Sequence, residues 1–287
     1  MGSNNSNAAP TIVRTVAALR AAVGEYRRTG QRIALVPTMG ALHGGHMALV
    51  DAARAVGQRI VVSIFINPAQ FAPSEDLASY PRHEAEDLAK LAVAGVDLVF
   101  MPEAGEVYGE GFTTSIIVAG PGKGLESAQR PHFFAGVATV VSKLLLQCLP
   151  DVAIFGEKDY QQLQVVRRMV RDLDIPCDIQ AIATVREADG LACSSRNSYL
   201  SPAERQIATS IYKNLQATAM RLQTGGDIIT EIEYCMARLR QAGFDQIDYL
   251  ALCDGASLEP LSALCDGARL LVAVQLGKTR LIDNIAV

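Results

Sequence analysis

The chain has 287 residues, 49% hydrophobic and 20% charged, with a formal net charge of −4 and a pI near 5.6. That length suits one large or two medium globular domains. The acidic balance argues against a nucleic-acid binder that works by counterion release, and no apolar run reaches the roughly 18 residues of a membrane-spanning helix.

Residues 1–10 are polar without an apolar core, so they read as a disordered start and not as a signal peptide. Over 13–26, Val16, Leu19, Val23 and Tyr26 recur at helical spacing, which predicts an amphipathic helix against a sheet. Residues 33–36 form a short apolar run ending at Pro37, the pattern of a buried parallel strand. Residues 46–56 read as a helix with Met47, Val50 and Ala53 inward and Gly57 at its end, and 59–66 as a second buried strand. This is a βαβ unit.

The turn inside that unit carries Gly40, Gly44, Gly45, His43 and His46. Glycines let backbone N–H groups approach an anion, and the following helix aims its positive end at the same place. Two imidazoles three residues apart can both reach such an anion. The stretch therefore fits a phosphate site. It also fits a strand-to-helix turn with two solvated histidines. It is not a Walker loop, since no Gly-Lys-Ser/Thr follows, and it lacks the G-x-G-x-x-G fingerprint.

Beyond the second strand comes Asn67-Pro68-Ala69-Gln70-Phe71, with Pro73 and Pro81 following. Long irregular segments at the carboxyl ends of parallel strands are where ligands bind. Residues 83–94 predict a helix opened by acidic residues, with Glu86 and Asp87 read as its surface acids. Strands are expected at 97–101 and 114–118, a glycine-rich loop at 120–129, and an apolar helix at 136–149 closed by Pro150. A core strand at 152–155, a helix at 160–173 with Arg167, Arg168 and Arg171 on an exposed face, and a fifth core strand at 177–184 follow.

Strands and helices alternate up to 184, which predicts an α/β, doubly wound parallel-sheet (Rossmann-like) nucleotide-binding domain over 1–184. Residues 185–287 differ. Helices at 202–223 and 227–242 precede short strands at 247–252, 269–274 and 279–282, without crossover helices. That pattern predicts a smaller α+β domain.

Two polar clusters follow predicted core strands. In Gly156-Glu157-Lys158-Asp159 the ammonium can sit on phosphate oxygens, or the lysine can simply be solvated at a helix start. Ser194, Ser195 and Arg196 form a phosphate clamp or a polar interdomain loop. Each cluster leaves the carboxyl end of a strand, so both can meet the histidine turn at one cleft. The six cysteines, Cys148, Cys177, Cys193, Cys235, Cys253 and Cys265, contain no Cys-x-x-Cys pair and read as free thiols in a reducing, cytoplasmic setting.

Five motifs appear in order: Pro37-Thr38-Met39-Gly40-Ala41-Leu42-His43-Gly44-Gly45-His46, Asn67-Pro68-x-Gln70-Phe71, Gly-Glu-Lys-Asp-Tyr-Gln-Gln-Leu at 156–163, Ser194-Ser195-Arg196-Asn197, and Gly-Lys-Thr-Arg-Leu-Ile-Asp-Asn at 277–284. With them the chain resembles the pantothenate synthetases (pantoate–β-alanine ligases), within the wider His-x-Gly-His nucleotidyltransferase superfamily, from about residue 14 to 284. The resemblance implies ATP-driven condensation of pantoate with β-alanine through a pantoyl adenylate, with Mg2+, in a cytoplasmic homodimer.

It further implies that Met39, Gly40, Ala41, Leu42, His43, Gly44, Gly45 and His46 line ATP. His46 would be the general acid, with His43 and Lys158 completing the catalytic set. Gly156, Glu157, Lys158, Asp159, Val185, Cys193, Ser194, Ser195 and Arg196 would also contact ATP. Gln70 and Gln162 would hold pantoate, and Gln70 would border the β-alanine site. No metal ligands are assigned.

Four positions depart from the family pattern. Ala69 and Cys193 replace the usual Met and Leu or Met. In Arg130-Pro131-His132-Phe133-Phe134-Ala135-Gly136 the family commonly has Arg-Pro-Gly-His-Phe-x-Gly. The last change bears on the loop's backbone shape and removes an imidazole from 133. Two other readings stand beside this one: a nucleotidyltransferase acting on a phosphorylated acceptor, and a non-catalytic nucleotide-binding module. The first would need further cations, and the second would have no use for two histidines, Lys158 and Ser-Ser-Arg together.

Overall fold

A computed structural model describes residues 9–72, 77 and 80–287. The expected disorder of the first eight residues and the expected loop position of Pro73 lie outside the described residues. In chain order the elements are β1 (Thr11–Val13), α1 (Val16–Arg28), β2 (Ile33–Thr38), α2 (Gly44–Val56), β3 (Arg59–Ile64), α3 (Glu84–Val93), β4 (Leu98–Phe100), α4 (Ala104–Val107), α5 (Glu126–Gln129), α6 (Phe133–Cys148), β5 (Val152–Gly156), α7 (Tyr160–Asp172), β6 (Asp178–Ile182), α8 (Pro202–Ala208), α9 (Ser210–Gln223), α10 (Ile228–Ala242), β7 (Gln246–Asp254), β8 (Ala268–Leu276) and β9 (Thr279–Ala286). They fall into two compact units. The first holds the residues up to Val118, His132–Glu157 and Val165–Ile182; the second holds Ala119–Pro131, Lys158–Gln164 and Ala183–Val287. The boundary read along the chain at 184/185 does not capture the two earlier segments that group with the second unit.

The first unit is built on a six-stranded parallel sheet of order β1-β4-β3-β2-β5-β6. The order runs outward from β2 in both directions, so β2 and β5 flank the topological switch point, where open α/β sheets open their binding crevice. Pairing between these two strands covers only Ala34↔Val152 and Leu35↔Ala153. Pro37, which has no N–H to donate, lies just beyond. The central strands β2 and β3 are apolar on both faces, as strands covered on both sides must be. Leu49, Val50 and Ala53 of α2 and Leu91 of α3 pack with Ala34, Val36, Ile60, Val62, Val99 and Ile154 into one core.

Four elements differ from expectation. The first helix starts at Val16, because Thr15 caps it by accepting from Ala18 N, and the β-branched Thr11–Val13 instead joins β4 as an edge strand. Residues 114–118 form no strand; the Ile116 N–H bonds the Thr139 hydroxyl, and Ile117 is exposed. The expected fifth core strand, β6, is a partly exposed edge. The helix expected over 202–223 is two helices meeting at Thr209.

In the second unit, β7, β8 and β9 make an antiparallel sheet. Leu250, Leu252, Leu270, Val272, Val274 and Leu276 pack with Ile211, Leu215 and Leu222 of α9 and Cys235 and Leu239 of α10. Leu271 and Cys253 join a second, smaller cluster with Leu258, Leu125 and Tyr160. The sheet therefore buries both faces, and polar residues on either face must find partners.

Candidate active site

The histidine turn is closed by its own rings. His43 is the N-cap of α2: its Nδ1 accepts from Gly45 N at 3.2 Å, while His46 Nδ1 accepts from His43 N at 3.3 Å. This is a capping box made of two imidazoles. The ring centroids lie 4.0 Å apart. With Nδ1 used as an acceptor, a neutral ring carries its proton on Nε2. Both rings then present an N–H donor at the positive end of a 13-residue helix.

The rest of the turn is held by a carboxylate. Asp87 Oδ2 accepts from Ala41 N and Oδ1 from Leu42 N, each at 2.8 Å, and Asp87 is only 1% exposed. Asp87 is thus no surface acid. It shares the inward side of α3 with Leu91, four residues on, and an acid on that apolar stripe was the available signal. Glu86 is exposed, as expected. Lys90 Nζ adds a bond to Leu42 O at 2.7 Å. Gly40, with φ +83°, and Ala41, with φ +51°, take the left-handed conformations this wrap demands. The N–H groups of Ala41, Leu42 and Gly45 therefore already have protein acceptors. The glycine-turn amides the sequence pointed to are thus largely spent on the turn itself, and the two imidazoles stand with the helix end.

At the carboxyl end of β3, Asn67 is buried and fully engaged. Its Nδ2 donates to Gln70 Oε1 at 3.0 Å and Gly136 O at 3.1 Å; its Oδ1 accepts from Ala69 N at 3.2 Å and Tyr108 Oη at 2.6 Å. Burial pushes the Tyr108 hydroxyl up to about 12, against the lowering effect of that bond, so it stays a donor. Gln70 Nε2 meets Met39 Sδ at 3.2 Å. This fixes Gln70 beside the histidine turn through Met39. Gly136 on α6 permits the close approach, since a Cβ there would overlap the Ala69 carbonyl, whose carbon would lie 2.6 Å away. His132 takes φ −93° and ψ −9°, right-handed values open to any residue, so the replaced glycine leaves no backbone strain. Phe133 packs on Phe134, with ring centroids 5.0 Å apart.

Gly156 ends β5, across the switch point from β2, and Glu157 follows it. The remaining predicted residues belong to the second unit. Lys158 and Asp159 lie in a 3-10 turn, with Nζ to Oδ1 at 3.7 Å. Gln161 is buried and structural: it accepts from Glu126 N at 3.0 Å and donates to Pro121 O at 2.9 Å. Gln162 is half-buried. Val185 and Cys193 pair across a hairpin through Cys193 N→Val185 O at 2.9 Å. Ser194 caps the 3-10 turn Ser195–Tyr199 by accepting from Arg196 N at 3.3 Å.

That hairpin stands on Arg186, whose guanidinium donates to both Asp283 oxygens at 2.7 and 2.9 Å and lies 3.6 Å from the Tyr212 ring centroid. Arg186 was not singled out from sequence, and Asp283 stood in the 277–284 motif without a role of its own. The first unit therefore assembles Met39 to His46, Gln70, Gly156 and Glu157, and the second assembles Lys158, Asp159, Gln162, Val185 and Cys193 to Arg196.

Among the described residues no three His, Cys, Asp or Glu side chains gather into a metal site. Both Asp87 oxygens are committed to backbone N–H groups. These residues do not fit a protein-held cation.

The family model for pantoate–β-alanine ligase matches residues 11–286. A pantothenate synthetase of Paramagnetospirillum magneticum is 54% identical over 276 residues, covering 96% of this chain and 97% of that protein. One from Rhizorhabdus wittichii is 55% identical over 276 residues, with 96% and 98% covered. The crystal structure of pantothenate synthetase from Thermus thermophilus superposes with a TM-score of 0.91 at 47% identity, covering 96% of this chain and 98% of that one. The pantoate–β-alanine ligase of Francisella tularensis, complexed with β-γ ATP and β-alanine, gives 0.83 at 32% identity, with 97% and 98% covered. The chain belongs to the pantoate–β-alanine ligase family.

Proposed function

We propose that the protein condenses pantoate with β-alanine, driven by ATP, and releases pantothenate, AMP and pyrophosphate. A pantoate carboxylate oxygen attacks the α-phosphorus of ATP, and the bond from that phosphorus to the bridging oxygen of pyrophosphate breaks. The β-alanine amine then attacks the acyl carbon of the pantoyl adenylate, gives up a proton, and AMP leaves.

The observation that carries this reading is the imidazole capping box of α2. Two ring donors fixed at a positive helix end suit the charge that grows on departing pyrophosphate. In this reading His46 is the proton donor, with His43 and Lys158 stabilising the same charge. Met39 to His46, Gly156 to Asp159, Val185 and Cys193 to Arg196 bind ATP. Gln70 and Gln162 hold pantoate, and Gln70 borders β-alanine. Magnesium, brought in with ATP as its counterion, would supply further positive charge to the phosphates. The enzyme works as a homodimer in the cytoplasm.

Labelled pyrophosphate should exchange into ATP when pantoate and magnesium are present and β-alanine is absent, because the first step needs no amine. Exchange that strictly requires β-alanine would overturn the adenylate route. Exchange supported by a phosphorylated acceptor in place of pantoate would point to nucleotide transfer instead.

A further inference from the structure

Asn284 on β9 is 2% exposed and is paired with Leu271 of β8. Its Nδ2 donates to the carbonyl oxygen of Lys158 at 2.9 Å, and its Oδ1 accepts from Arg269 Nε at 2.8 Å. Arg269 in turn lies over the Tyr160 ring, 4.0 Å from the centroid, and Tyr160 Oη donates to Gly255 O at 2.9 Å. The short turn that carries Lys158 is thus gripped at that residue and again just beyond it. Residue 158 is held through its carbonyl and residue 160 through its ring and hydroxyl, all onto the β7–β9 sheet. A 3-10 turn of three residues has little rigidity of its own, so its geometry depends on such grips.

We infer that Asn284 is a positioning residue for the reaction: its amide donor sets the turn that aims the Lys158 ammonium. The inference rests on the role given to Lys158 above. The side chain of Lys158 carries the charge, but its direction follows from the backbone at 158, and that backbone is tied by one amide from a strand 126 residues away in sequence. A misplacement of about 1 Å in a catalytic group can cost on the order of 10²-fold in rate.

Asn284→Asp keeps the oxygen that serves Arg269 and removes the donor that serves Lys158. The test is a double-mutant cycle with Lys158→Ala, read by single-turnover formation of the adenylate and by thermal unfolding. Residue 158 keeps its carbonyl in Lys158→Ala, so any purely structural loss from Asn284→Asp persists in that background, whereas loss of aim does not. The expected result is a ten- to hundredfold slower adenylation for Asn284→Asp alone, of the order a misplaced group produces. In the Lys158→Ala background the same change should slow it less than about twofold further.

A wild-type adenylation rate for Asn284→Asp, or an equal loss in both backgrounds, would overturn the inference. Should Asn284→Asp fail to fold, Asn284→Ala enters the same cycle, and failure of both would assign Asn284 to the fold alone and overturn it. The role of Lys158 is read separately. If Lys158→Ala alone adenylates at the wild-type rate, that role falls whatever Asn284→Asp does, and the inference falls with it.

Discussion

One carboxylate decides the shape of the histidine turn. Asp87 takes two backbone N–H groups at 2.8 Å from inside the protein, where bonds to an ionised acceptor are stronger than neutral ones. Asp87→Asn offers one oxygen and one NH2 group, so a donor would face either Ala41 N or Leu42 N. Leaving such a buried donor unmatched costs about 1–3 kcal/mol. The expected outcome is a loss of that size in denaturant unfolding together with weaker ATP binding by calorimetry, since residues 40–46 would relax. Wild-type stability and affinity would mean that the turn holds its shape without Asp87. The same carboxylate shows how a residue's meaning shifts with burial. On a helix wheel Asp87 is one acid among three in a first turn, beside Glu84 and Glu86. Only the neighbour at Leu91 hints that its side faces inward.

Between elements, a close backbone fit lies where α6 crosses the 3-10 turn Pro68–Gln70. Local propensity and packing give opposite forecasts for Gly136→Ala. Alanine in a helix interior gains roughly 1 kcal/mol over glycine. Overpacking a site with no spare room costs roughly 1–3 kcal/mol. The Ala69 carbonyl that the new Cβ would strike is backbone and cannot rotate away, so packing should win. The variant should be less stable, and its KM for pantoate should rise more than its KM for ATP, because Asn67 and Gln70 move with that turn. A stabilised variant with unchanged pantoate KM would show that α6 has slack there. The glycine in the Arg-Pro-His-Phe-Phe-Ala-Gly stretch is thus needed for approach, whereas the position now held by His132 makes no such demand.

Across the whole molecule, burial has moved several acids in one direction. Burial pushes the thiols of Cys148 and Cys177 up to about 12 and that of Cys253 to about 11, from 9.0, and Tyr108 and Tyr249 are raised by the same cause. Above pH 9 the unfolded chain releases thiol protons that the folded chain keeps. The folded state then binds more protons, and stability falls as pH rises. The stability these groups support is complete below about pH 9 and lost progressively towards 12. Denaturant unfolding from pH 8 to 11 should show that decline, and a flat profile would mean that these thiols titrate normally.

The alternation of strands and helices and the second, α+β unit are legible in the sequence, and so are the short motifs on which the proposed phosphate roles of His43, His46, Lys158 and Arg196 rest, because periodicity and motifs are local. β1 and the absence of a strand at 114–118 escape it, since whether a short apolar run becomes a strand depends on whether a sheet edge waits for it. The partners of Asp87, Asn284 and Asp283 lie 46, 126 and 97 residues away. Nothing in local spacing encodes such pairs. Folding alone decides them, because a buried polar group must bond to whatever the packed chain brings within reach.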